Sequence, residues 1–238
     1  MIRTDSVSTR EAWLEARKNL LLKEKAHARA GDELAAERRA LPHYPLGRDY
    51  IFDGVNGKVN LAELFAGRSQ LIVQHFMFSP DWEAGCPFCS FWADGYDPMI
   101  VHLNQRDVSF AVVSRCSVET LEQYRRRMGW KFNWVSALNN SFNYDFCVTP
   151  TPEQIESGCM VYNFRETPVH SSECHGVSVF RQNDEGVLFH TYSTYARGLD
   201  PMNAAYAYLD ITPAGRNEEG LPFGMAWVKR HDEYVQDR

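Results

Sequence analysis

With 238 residues, 44% of them hydrophobic, the chain can bury a substantial core as one domain with room for an extra arm. A net charge of −6 gives no footing for nucleic acid or an anionic membrane as partner. No stretch approaches the ~18 consecutive apolar residues of a spanning helix, and charges from Arg3 onward interrupt any apolar signal core. Six cysteines are too few for a disulfide scaffold of this size, so a cytoplasmic protein with mostly reduced thiols is expected.

Ser8-Thr9-Arg10-Glu11 fits a capping box, and a helix is predicted from about Thr9 to Leu41, with a soft spot at Gly31 and a stop at Leu41-Pro42. Its apolar stripe, Trp13, Ala16, Leu20 and Leu21, is thin on a heavily charged helix. Residues 1–42 therefore read as an N-terminal helical arm on a domain spanning 43–238. Residues 50–59 contain Gly54 and an Asn56-Gly57 turn, a hairpin signal, and 61–65 a short helix. The apolar run 71–78 reads as a buried strand. A helix then follows from the Cys86 region toward Asn104. Residues 108–114 form a second buried strand and 118–128 a helix with Leu121 and Tyr124 on one face. This order predicts a right-handed crossover and parallel pairing.

Residues 130–174 are irregular and read as an insertion, since Thr149-Pro150-Thr151-Pro152 blocks regular structure. Residues 176–180 and 187–192 flank an Asn183-Asp184-Glu185-Gly186 turn, another hairpin. A short helix is expected over 201–209, and 225–228 could supply a last strand.

Cys86-Pro87-Phe88-Cys89 stands where the 71–78 strand hands over to a helix. Two thiols at this spacing can close a small disulfide ring at one opening, the redox arrangement of the thioredoxin-like fold. Unpaired N–H groups at the helix start favour a thiolate, and Pro87 loses nothing in a first helical turn. Cys86, at the expected N-cap, is the better nucleophile; Cys89, one turn in, would resolve the mixed disulfide. Half of a metal site is the competing reading, but Cys174-His175 is the obvious second pair and adjacent residues rarely both ligate one tetrahedral ion. Inert or purely ligand-binding thiols are the other.

Several phrases are similar to one bacterial family: Arg39-Ala-Leu-Pro42, Phe78-Ser-Pro-Asp-Trp-Glu-Ala-Gly-Cys-Pro-Phe-Cys-Ser-Phe-Trp92, His102-Leu-Asn-Gln-Arg-Asp107, Met128-Gly-Trp130, Phe142-Asn-Tyr-Asp-Phe146 and His190-Thr-Tyr-Ser-Thr-Tyr-Ala-Arg-Gly198. The family resembled is a thioredoxin-like group of unknown function described as predicted dithiol–disulfide oxidoreductases, related to the alkyl hydroperoxide reductase and thiol-specific antioxidant group. The resemblance runs from about Arg10 to Tyr234. It implies an α/β thioredoxin-like fold, a central mixed sheet flanked by helices, and a redox-active Cys86/Cys89 pair. The chain departs from thioredoxins in having Gly85, not Trp, before the first thiol, and no proline in Glu173-Cys-His-Gly-Val177, which should face it. It departs from peroxiredoxins at Glu83, where they carry Thr or Ser. A carboxylate there should oppose ionisation of Cys86, so a slow peroxiredoxin-like peroxidase is a further alternative and fast peroxide turnover is not expected.

Supporting roles fall to Trp82, Pro87, His175 and Arg115. His175 could exchange a proton with Cys86; a histidine satisfied by backbone is the plainer reading. Arg115 could hold a peroxide oxygen or carboxylate in its fork, or make an ordinary surface ion pair. Trp82, Phe88, Phe91, Trp92, Trp130 and Trp134 could line an apolar pocket, although aromatics at this density more often build core. Cys116, Cys147 and Cys159 read as small buried or half-buried side chains. No cofactor and no metal are expected. The partners expected are a disulfide or small-molecule substrate, a thiol electron donor and a second copy of the chain in a homodimer.

Overall fold

The computed structural model describes residues 8–235 and divides the chain into two compact units, 1–42 and 43–238. The described residues of the first form a single helix, α1 (Arg10–Arg39), which continues through Gly31. Its N-cap is Thr9, one residue later than a cap at Ser8 would place it, and the Ala12 N–H donates to the Thr9 hydroxyl. No residue of α1 is buried.

In the second unit, β1 (Tyr44–Pro45) precedes the hairpin of β2 (Ile51–Gly54) and β3 (Gly57–Asn60), and a 3-10 turn covers Glu63–Phe65. Then come β4 (Gln70–His75), α2 (Pro87–Ala93), α3 (Tyr96–Asn104), β5 (Val108–Ser114), α4 (Val118–Arg127) and β6 (Asn133–Ser136). Short helices α5 (Phe142–Asp145) and α6 (Pro152–Ser157) lead to a separate two-stranded sheet, β7 (Cys159–Tyr162) with β8 (Arg165–Pro168). The hairpin β9 (Gly176–Gln182) and β10 (Leu188–Tyr195) follows, then a 3-10 turn Ala196–Met202 and α7 (Ala204–Leu209).

The main sheet has the order β1-β10-β9-β4-β5-β6-β2-β3. β4, β5 and β6 are parallel, and β9 and β10 continue the sheet antiparallel on the other side of β4. A parallel trio joined to an antiparallel hairpin, with the thiol helix at the C-terminal end of central β4, is the thioredoxin-like arrangement. Strand alternation divides the apolar side chains between two cores. Phe110 and Val112 of β5 join the cluster under α2, α3 and α4, which contains both Cys86 and Cys89. Ala111 and Val113 join the opposite cluster, with Phe52, Phe65, Phe142 and Phe180.

Four expectations change. The helix after the thiols breaks at Asp94-Gly95, because an unbroken helix would set the ring of Pro98 against the Asp94 carbonyl; restarting at Tyr96 puts Pro98 in a first turn. β6 lies inside the stretch read as an insertion, yet pairs with β5 in the main sheet. The 201–209 helix is two pieces, because the side chain of Asn203 caps α7 through the Tyr206 N–H. Residues 225–228 are a turn, not a strand: the Glu218 carboxylate accepts from the Met225 N–H and Trp227 Nε1, and Val228 N–H closes on the Met225 carbonyl.

Candidate active site

The site begins where β4 ends. The Cys86 N–H donates to the Met77 carbonyl at 3.1 Å, folding residues 77–86 into a loop. Cys86 is the N-cap of α2 and Pro87 its first residue. Both thiols are free and buried, Cys86 at 6% and Cys89 at 5% exposure, so neither is an open surface nucleophile. The Met77 N–H points at the Cys89 sulfur at 3.4 Å.

The two thiols are chemically unequal. Cys86 is pulled below the ordinary thiol range, chiefly because the Cys89 thiol donates to its sulfur. Burial opposes this; the N–H groups of Cys89 and Phe88 and the charge of Arg230 add to it. Cys89 is pushed well above that range by burial, then by its bond to Cys86 and the charge there. Glu83 is exposed, and the net shift at Cys86 is downward, against the opposition expected of a carboxylate three residues upstream.

The loop is fastened by a network that sequence reasoning missed. Ser90 Oγ donates to the Cys86 carbonyl at 2.8 Å and lies 2.9 Å from the Tyr124 hydroxyl of α4. Arg230, in the C-terminal tail, donates Nε and Nη2 to the Gly85 carbonyl at 3.0 and 2.7 Å, and Nε to Tyr124 Oη at 3.0 Å. Only Tyr124 had a signal in sequence, as a core face of α4. Arg230 had none, because 145 positions separate it from Gly85.

Antiparallel pairing of β9 with β4 sets Gly176 beside His75, so residues 173–175 run out next to the thiol loop. His175 shares a cavity of about 200 Å³ with Cys89, walled also by Gln74, Phe88, Trp92, Leu199 and Met225. Cys86 is not among its lining residues. His175, expected opposite Cys86, thus shares its cavity with Cys89 instead. His175 Nε2 donates to the Ala196 carbonyl at 3.3 Å, leaving Nδ1 as the acceptor, and burial lowers its pKa so that the ring is neutral. Cys174 is pushed up to about 11 by burial and by Glu173. The 192–198 run forms a wall of this cavity through Ala196 and Arg197, and the Trp92 indole N–H donates to the Leu199 carbonyl at 3.1 Å.

Arg115 faces a carboxylate of the chain's own interior. Its Nη1 lies 3.6 Å from Glu173 Oε1 and its guanidinium 4.7 Å from the Tyr144 ring. Glu173 is 1% exposed, so this is an interior pair and not a surface one. Burial still holds the Glu173 carboxyl up at about 7. Of the aromatics, Phe88 and Trp92 reach the cavity, Phe91 and Trp92 line a second one of about 820 Å³, and Trp130 and Trp134 are core. Trp82 is half-buried against the cluster that holds the thiols. Cys159 is exposed, unlike the buried cysteine expected there. Among the described residues, no three His, Cys, Asp or Glu side chains cluster to hold a metal ion, and no helix is long and apolar enough to cross a membrane.

A family model described as "Bacterial protein of unknown function (DUF899)" matches residues 2–234. Comparison with curated proteins gives no match. Among solved structures, the chain is similar to peroxidoxin BcpB from Mycobacterium tuberculosis, at 12% identity and a TM-score of 0.46, over 69% of this chain and 94% of that one. It is similar to Xanthomonas campestris peroxiredoxin Q at 14% identity and a TM-score of 0.44, over 65% and 87%. It is also similar to a yeast mitochondrial 1-Cys peroxiredoxin at 15% identity and a TM-score of 0.42, over 71% and 78%.

Proposed function

The chain belongs to the DUF899 family of bacterial proteins of unknown function, and for this member we propose a cytoplasmic thiol–disulfide oxidoreductase that cycles Cys86 and Cys89 between dithiol and disulfide. The inequality of the pair carries the reading: Cys86 is the more acidic thiol, lowered chiefly by the hydrogen bond from Cys89, while burial makes Cys89 hold its own proton more tightly. The Cys86 thiolate attacks one sulfur of a substrate disulfide, forming a mixed disulfide and releasing one substrate thiolate, which takes a proton from water. Cys89 then loses its proton and attacks the Cys86 sulfur, closing the intramolecular disulfide and releasing the second thiol. The substrate gains two electrons and the enzyme dithiol gives them up; a thiol electron donor restores it. Neutral His175, in the same cavity as Cys89, is the base on offer for the Cys89 proton. Pro87 sets the first turn of α2 behind the nucleophile, and Trp82 packs on the cluster beneath it.

Redox titration of the pair is the test. Known oxidoreductases of this fold lie between roughly −120 and −270 mV, and a reversible two-electron transition in that span, lost in Cys86→Ser, is expected. Thiols that stay reduced in oxidised glutathione and diamide would sink the enzyme reading.

The cavity beside Cys89 supports a second reading, a module that holds a small apolar ligand without redox turnover. Under it, Cys86→Ser, which removes the nucleophile and lies outside the cavity lining, would leave ligand affinity unchanged.

A further inference from the structure

We propose that Arg230 is a positioning residue for Cys86: from the C-terminal tail it fixes the Gly85–Cys86 peptide and supplies the cation that stabilises the thiolate. The proposal rests on Cys86 being the nucleophile of the pair above. Two of Arg230's N–H groups converge on one acceptor, the Gly85 carbonyl, which belongs to the peptide bond ending at the Cys86 nitrogen. That peptide is held at its other end by the Met77 carbonyl. The next carbonyl, that of Cys86, is held by Ser90, whose hydroxyl meets the same Tyr124 hydroxyl that Arg230 touches. One guanidinium therefore closes a ring of bonds around the nucleophile's backbone. Its side chain is only 19% exposed, so its charge is weakly screened.

Fastening the tail does not need this residue. Arg127 of α4 already grips Asp232 at 2.7 Å and Glu233 at 3.1 Å, and His231 Nδ1 lies 2.6 Å from Asp94. A neutral donor would satisfy the Gly85 carbonyl equally well, so what a guanidinium adds is charge. The charge-bearing groups around Cys86 come from several elements. Cys89 lies on α2, protonated Tyr124 on α4, and Arg230 with its counter-charge Glu233, 2.8 Å away, on the tail. Cys174 lies on the approach to β9, and Asp81 and Glu83 are exposed in the loop. Arg230 acts on Cys86 in the direction of the thiolate, partly offset by Glu233.

The test is the pH profile of Cys86 alkylation by iodoacetamide, followed on its own peptide by mass spectrometry, in the full chain. Arg230→Gln should cut the thiolate fraction at neutral pH by roughly two- to threefold, with most of it restored in Arg230→Lys. Arg127→Gln should lower the melting temperature and leave the profile in place. Glu233→Gln, which frees the guanidinium from its counter-charge, should move the profile to lower pH. This last variant reads the proposal even if Arg230→Gln does not fold, because a merely mechanical strap gives no reason for a more acidic thiol. A Glu233→Gln profile that stays or moves up, or equal shifts in Arg127→Gln and Arg230→Gln, would overturn it. The profile needs no turnover, so a failed redox titration leaves this result standing by itself.

Discussion

A methyl group added at Gly85 would lie 2.7 Å from Phe76 Cε1 and 2.9 Å from Tyr124 Cε1, two rings buried in the same core. Neither ring has anywhere to go, so Gly85→Ala should destabilise by about 1–3 kcal/mol. It should also slow Cys86 alkylation, since the displaced carbonyl is the one Arg230 grips. Urea unfolding and the alkylation rate read the two effects; unchanged values in both would mean the loop relaxes freely. In the parent chain Cys86 should be labelled first, with an apparent pKa below the ordinary ~8.5, and preferential labelling of Cys89 would exchange their roles. The placement of the two thiols at a helix start was legible in the sequence because its logic is local: spacing, a proline and a helix start within four residues. What tunes it was not. Glu83 sits close in sequence but points to solvent, whereas Arg230 is remote in sequence and adjacent in space.

At the scale of elements, the parallel pairing of β4 with β5 was legible from two buried hydrophobic runs, but helix ends followed from residues whose effect depends on phase, such as Pro98 and Asn203. β6 escaped because four residues, Asn133–Ser136, carry too short a pattern to stand out from an irregular stretch. Three strands also share a feature that sequence patterns do not reveal. His75 of β4, Ser178 of β9, and Ser193 and His190 of β10 form a hydrogen-bonded chain with steps of 2.8, 2.8 and 2.7 Å. Burial holds the His75 pKa down at about 3. From pH 6.5 downward the unfolded chain takes a proton that the folded chain refuses, so stability is complete above pH 6.5 and declines toward pH 3. The full span corresponds to on the order of 5 kcal/mol. Burial lowers His190 as well, adding in the same direction. Glu173 works the other way, its raised carboxyl keeping a proton in the folded state up to about pH 7. Comparing urea stability of the parent with His75→Gln from pH 7 to 4 cancels the Glu173 contribution. The parent should show the steeper loss, and parallel curves would mean that His75 is protonated in the fold.

For the whole molecule, every buried apolar residue among those described lies at Tyr50 or beyond, in the second unit. Both of its cores are complete without residues 8–42. A chain beginning at His43 should therefore fold with a melting temperature within a few degrees of the parent's, and an unfolded product would show that the arm is part of the domain's core. The arm itself exposes its stripe of Trp13 at 59%, Leu20 at 50% and Leu21 at 38% along one 30-residue helix. Surface ion pairs such as Arg17–Glu24 contribute little to such a helix, and a helix gains most of its stability from a packed apolar face. Exposed apolar side chains in this number mark an interface, and the commonest closed solution is a two-fold dimer. Light scattering should give twice the chain mass for the full-length protein and a single chain mass for the chain beginning at His43. A monomeric full-length protein would refute the dimer, and a dimer that survives removal of the arm would place the interface on the thioredoxin-like domain instead.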